Sequence, residues 1–267
     1  MSATLALARR ELLAYLLSPV GYIVTALFLF FTSLVYFAAA PLLMGSGFSQ
    51  GQPASLRLFF QIGVWVLFVI APAISMRTIS EELRLGTIES LLTAPITETQ
   101  IILGKFFGSL SFLVLMLLPT VLFVFALERY GRPDYGELLC GYLGLLLIGA
   151  AFLASGIFIS TLTGSQVLAY IVTIFFWLIL LLATMVLPYL ASLAEGLAGR
   201  PDNSETLETL LAWLEGAARF LAVGNPRARV LDFINGLVDT FNIIYFLSFT
   251  ILFLVAAIRA LGARRWP

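Results

Sequence analysis

The chain contains no histidine, a single cysteine (Cys140) and a single lysine (Lys105). Without histidine there is no imidazole base, no Ser-His pair and no His-ligated metal. One thiol can make neither an internal disulfide nor a cysteine metal cluster. The lysine stands in Leu103-Gly104-Lys105-Phe106. A phosphate-cradling loop there would need glycine at 99 and Ser or Thr at 106, and the chain has Thr99 and Phe106. The chain itself therefore carries no nucleotide-hydrolysing motif, and no cofactor, metal or catalytic residue is expected in it. Charge is scarce too, at 11% of residues, where soluble domains carry about a quarter. Fifteen basic and fifteen acidic side chains cancel, which leaves no basic face for nucleic acid.

What is abundant is apolar surface: 61% hydrophobic residues and a mean hydropathy of +1.03. The chain reads as an all-α, polytopic membrane protein. A bilayer core takes about 20 apolar residues per helix. Six spans follow, at 20–44, 58–76, 101–127, 138–161, 166–188 and 240–260. The fourth and fifth come from an uncharged stretch, 138–194, too long for one crossing. It is divided at its most polar point, Thr161-Leu162-Thr163-Gly164-Ser165-Gln166. The span interiors contain no carboxylate, which argues against a proton-coupled carrier and against an intramembrane enzyme. A sodium site made of carbonyls and hydroxyls stays open. Arg9, Arg10 and Glu11 interrupt the first apolar run, unlike a cleaved signal peptide.

Six spans put both termini on one side. With the termini inside, the inner cations are Arg9, Arg10, Arg77, Arg84, Lys105, Arg259, Arg264 and Arg265. Outside stand Arg57, Arg129 and Arg132, plus four arginines in the long loop 189–239, where the positive-inside rule weakens. Omitting that loop, the balance favours cytoplasmic termini.

Two amphipathic pieces flank the spans. Residues 1–19 form a helix with Leu5, Ala8, Leu12 and Leu16 on one stripe, lying in the membrane interface before Ser18-Pro19. In the acidic loop 189–239, Asp202 and Glu205 have capping-box spacing ahead of Leu207, Leu210, Leu211, Leu214, Ala218 and Leu221. Gly156, Ser160 and Gly164 make a small-residue stripe that lets helices approach closely, read as packing within the chain.

The charged segment 77–100 stands apart from this oily background. Thr78–Leu85 is helix-compatible, and Gly86 can end it with a left-handed cap. Thr87 can start a second short helix carrying Ile88, Glu89, Leu91 and Leu92, which Pro95 stops. Thr97 and Gln100 have capping-box spacing and open the third span. Such a hairpin would present Glu81, Glu82, Arg84 and Glu89 to the cytoplasm and leave Leu85, Ile88 and Leu92 for a groove. It can pass force from a moving partner into the two spans that hold it.

The run Glu-Glu-Leu-Arg-Leu-Gly-Thr-Ile-Glu-Ser-Leu-Leu-Thr-Ala-Pro-Ile at 81–96 resembles the coupling helix of ABC type-2 exporter permeases. Arg9-Arg10-Glu11-Leu12, Leu103-Gly104-Lys105-Phe106, Gly141-Tyr142-Leu143-Gly144 and Arg265-Trp266 are similar to the gliding-motility-associated branch. That branch also resembles the copper-processing permease of nitrous oxide reductase maturation. The resemblance implies a type V exporter-like fold in which residues 1–267 form one permease domain and 1–19 is a connecting helix. It implies two cytoplasmic ABC ATPase subunits that bind the ATP and Mg, and a second permease copy or paralogue. An extracytoplasmic or membrane accessory protein and membrane lipid complete the implied partners. Glu81, Glu82, Arg84, Gly86, Thr87 and Glu89 become the residues that dock or shape the ATPase contact. The expected function is export of a substrate. The alternative is a mechanotransmitting subunit that drives an extracytoplasmic machine without moving a solute.

Overall fold

The computed structural model describes residues 3–34, 55–88, 96–128, 133–198, 213, 216 and 225–263, without the side chains at 126, 185, 187, 188 and 191–198. Every element among them is helical. They are α1 (Ala3–Leu17), α2 (Pro19–Leu34), α3 (Arg57–Ser75), α4 (Ser80–Leu85), α5 (Glu98–Leu117), α6 (Val121–Glu128), α7 (Tyr135–Leu162), α8 (Gln166–Ala198), α9 (Pro226–Ile234) and α10 (Thr240–Ala263). Five stretches are long and apolar enough to cross a membrane: Arg57–Leu85, Glu98–Phe125, Tyr135–Leu162, Gln166–Thr184 and Thr240–Ala263. A sixth is counted when α1 and α2, bent by 74° at residue 18, are taken as one broken span. Six spans were expected. The described part of the first, 20–34, is short of a crossing, and its residues 35–44 lie outside the described residues, as does the loop helix expected at 202–221 apart from Trp213 and Gly216.

The bends have local causes. Pro19 cannot continue the hydrogen-bond ladder of α1, and Ser18 Oγ accepts from Val20 N at 3.3 Å instead. Pro119 likewise ends α5 in a single 3-10 turn, Leu118–Thr120, before α6 resumes. The capping box at Thr97 is complete. Gln100 N donates to Thr97 Oγ1 at 3.3 Å, and Thr97 N donates to Gln100 Oε1 at 3.1 Å.

The chain divides into two compact units, Met1–Ile174 with Val230–Pro267, and Phe175–Arg229. In the second, the Phe176 and Trp177 rings meet edge to face at 5.7 Å. In the first, α7 is the central helix, packed by α3, α5 and α10. It buries 78% of its apolar window, against 28% for α10. Inside lipid the hydrophobic effect does not drive helices together. Close packing does, and small residues permit it. Gly156 on α7 sits so close to α3 that an added Cβ would overlap Ser75 Oγ. Aromatic pairs extend the same seam, Phe60 with Tyr142 at 5.2 Å and Phe68 with Phe152 at 6.1 Å.

The segment from α3 to the start of α4 runs parallel to α7 and is tied to it at both ends. At one end Arg57 pairs with the buried Glu137 at 3.1 Å, and Ser55 donates to the same carboxylate. At the other, Ser80 N donates to Ser160 Oγ at 2.8 Å. Both ties join residues 80 apart in sequence.

Candidate functional site

The root of the hairpin is fixed by buried backbone groups. Past α3 the chain turns, and Thr78 Oγ1 donates to Ser75 O at 2.7 Å. The next two amides, Ile79 N and Ser80 N, both donate to Ser160 Oγ on α7, at 3.1 and 2.8 Å. Ser80 and Ser160 also share a hydroxyl–hydroxyl hydrogen bond at 2.9 Å, fully buried. One serine thus replaces the carbonyl partners that these amides lack at the start of α4. The α4 helix then runs for six residues and stops at Gly86, whose φ of 71° is left-handed and whose N–H returns to Leu83 O at 3.3 Å. Only glycine takes that conformation without strain.

Beside this root lies Lys105, 3% exposed. Its ammonium donates to Glu82 Oε1 at 2.8 Å and to the Thr78 carbonyl, and it stands 3.9 Å from Glu11 Oε2. Glu82 comes from α4, Thr78 from the turn before it, Glu11 from α1 and Lys105 from α5. An ammonium this deep would be costly unless paired, and these oxygens supply the pairing. Two carboxylates share one cation. Burial holds the Glu11 carboxyl above its ordinary titration range, while Lys105 acts in the opposite sense. Glu82 Oε2 and Arg77 Nε are buried with no hydrogen-bond partner among the described residues.

The α1 helix reaches this socket because α5 offers it a groove. At Gly104 an added Cβ would come within 2.6 Å of Leu7 Cβ, and at Gly108 within 2.6 Å of Glu11 Cβ and 2.9 Å of the Ala8 carbonyl. Two glycines four apart let the helix axes approach closely. Tyr15 closes the contact. Its hydroxyl donates to Ile74 O at 3.0 Å, and its ring stacks on Phe112 at 4.9 Å. The packed face of α1 is therefore Leu7, Ala8, Glu11 and Tyr15. The stripe of Leu5, Ala8, Leu12 and Leu16, expected to lie in the membrane interface, shares only Ala8 with this face, and Leu5 is 55% exposed. Glycines on the partner helix select the face that packs.

The residues expected at the docking surface separate into two groups. Arg84, Gly86 and Thr87 are exposed at the tip with Leu85. Glu81 is partly buried, and Glu82 faces inward onto Lys105. Ile88, expected to be offered to a groove with Leu85 and Leu92, is buried at 7% exposure. Glu89, Leu91 and Leu92 lie outside the described residues. Sequence reasoning missed Lys105, Glu11 and Ser160 as members of the site. A signal existed for the first, since the only lysine of the chain stands between Gly104 and Gly108 in an otherwise apolar helix.

Residues 5–266 match the family described as ABC-2 family transporter protein. Over 119 residues the chain is 27% identical to the probable multidrug ABC transporter permease YbhR of Escherichia coli (strain K12), and equally to the protein of that name from Escherichia coli O157:H7. That stretch covers 45% of this chain and 30% of each relative, so the chain spans under a third of the length of the curated relatives it matches. The family match takes in α1, the hairpin, the Lys105 socket and all five apolar stretches, and with it the chain belongs to the ABC-2 family transporter proteins.

Proposed function

We propose that this multi-pass membrane chain is the permease subunit of an ATP-driven exporter and that its hairpin docks on a separate ATPase subunit. The observation that carries this reading is the contrast within one short helix. The root of α4 is held by Ser160 and Lys105, while its tip, with Arg84, Leu85 and Thr87, is exposed. A rigid root with an exposed tip suits a part that receives a push from outside and delivers it to α3, α5 and α7. The chain carries no nucleotide-binding motif of its own, so the energy comes from the partner. Two ATPase copies, with a second permease copy or paralogue, complete the assembly, in an inner membrane with both termini cytoplasmic. Within the family we place the chain in the gliding-motility-associated branch. Two of the runs behind that resemblance, Arg9–Leu12 and Leu103–Phe106, meet in space where Glu11 approaches Lys105, which supports reading them as one unit.

The docking test belongs at the tip, not at Glu82. A Glu82→Lys change would disturb the Lys105 pair as well as any contact with the ATPase. Arg84→Glu and Leu85→Asp alter only exposed side chains. When the tagged chain is purified from native membranes in mild detergent, each variant is expected to insert normally and to recover about tenfold less ATPase than the parent, the loss typical of an interface anchor. Recovery at the parental level with both variants would remove the hairpin from the interface.

A further inference from the structure

We propose that Lys105 is a positioning residue whose buried ammonium joins the hairpin to the N-terminal helix, so that α1 and α4 move as one body. The inference rests on the permease reading and deepens it. It concerns how a displacement at the tip spreads, not whether the tip docks.

Three features carry it. The ammonium of Lys105 is the shared partner of Glu82 on α4 and Glu11 on α1, at 2.8 and 3.9 Å. The two carboxylates would repel each other without it. The cation is rooted on α5, within a helix that α1 covers closely at Gly104 and Gly108. A further contact ties α1 to the helix that leads into α4, with Tyr15 donating to Ile74 O near the end of α3. A push on α4 therefore reaches α1 by way of Lys105 and, through α3, by way of Tyr15. Stability alone gives no reason to bury one cation between two carboxylates from different helices, since apolar side chains of similar volume often serve as well. A joint gives one, because a single buried ammonium fixes two carboxylates from different helices against the same point.

The test is a spin-label distance between α1 and α4. Labels go on the exposed Leu13→Cys and on the half-buried Leu83→Cys, which lies outside the expected docking residues, in a Cys140→Ser background, with the full chain in lipid nanodiscs. For the parent a single narrow distance is expected, and adding the ATPase subunit with a non-hydrolysable nucleotide leaves it unchanged. For Lys105→Met the distribution broadens by about twofold or more, as expected when a local element is released from the global fold. Glu11→Gln is the milder variant and keeps the Lys105–Glu82 pair. Its distribution becomes nucleotide-dependent, because the hairpin then moves without α1. An ion pair that only adds stability would not produce a nucleotide-dependent distance. Parental widths in both variants would overturn the joint, and so would a nucleotide-dependent distance in the parent. If Lys105→Met does not insert, Glu11→Gln alone decides. The widths without nucleotide are measured on the chain by itself, so they stand even if the ATPase docking reading falls.

Discussion

Lys105→Ala is expected to lower the apparent melting temperature of the detergent-solubilised chain by roughly 6–12 °C, corresponding to about 3 kcal/mol at a few degrees per kcal/mol. The substitution removes the one cation from a socket that keeps two carboxylates. Breaking a buried pair from one side costs about 3–5 kcal/mol, because the remaining charge stays uncompensated. The lower end applies here. Glu82 and Glu11 keep 18% and 19% of their side-chain surface exposed, so water screens part of the repulsion. Truncation also leaves a void where the buried lysine stem stood, which adds to the loss. A double variant, Lys105→Ala with Glu82→Ala, is expected to recover part of the stability, since the orphaned carboxylate leaves with its partner. Additive losses would show that the 2.8 Å contact contributes little.

Ser160→Ala is expected to cost about 2–4 kcal/mol, although it deletes one oxygen atom. That oxygen accepts from two backbone amides, Ile79 and Ser80, and pairs with the Ser80 hydroxyl. All three residues are fully buried, so water does not replace it. Each orphaned buried donor costs about 1–3 kcal/mol. Amide hydrogen exchange gives the direct readout. The hairpin amides at 79, 80 and 83 should exchange faster by about tenfold or more, while the centre of α7 stays protected. Unchanged exchange at 79 and 80 would mean that the root of the hairpin is held elsewhere. Docking on an ATPase should weaken only in proportion, because the tip residues are untouched. That separates this variant from Arg84→Glu.

The presence of several membrane-length apolar helices was legible because such hydropathy is a strong, local signal. Gly86 and the Thr97–Gln100 box were legible for the same reason: each is a cap set by residues within one turn of each other. The elbow at Ser18-Pro19 belongs with them. The face of α1 that packs on the protein was not legible. The leucine stripe points to the membrane interface, while Gly104 and Gly108, far along the chain, decide which side packs. The Lys105 socket was not legible either, since the residues that make it come from three helices and the nearest carboxylate is 23 positions away. From sequence, Glu82 looked like one more charge on a wet hairpin. Only the fold shows that its helix turns that side inward and leaves Arg84 out. The oxygen of Ser160 was visible as a small residue and not as an acceptor, because amides that need a partner cannot be recognised until the turn at 76–79 is known.

The equal spacing of the two ties keeps the segment 57–80, which is α3, the turn after it and the first residue of α4, in step with the single helix α7. Arg57 meets Glu137, and Ser80 meets Ser160, with the same offset of 80. Deleting one residue from either helix would retract its far end by about 1.5 Å and rotate it by about 100°. With Ser80 seated at Ser160, Arg57 would then swing away from Glu137. The same single deletion made in both would match the lengths but leave both far ends turned away from each other. Only matched changes of about a whole turn, roughly three or four residues in each helix, keep length and facing side together. The two lengths are thus read against one ruler, and that ruler is marked in turns.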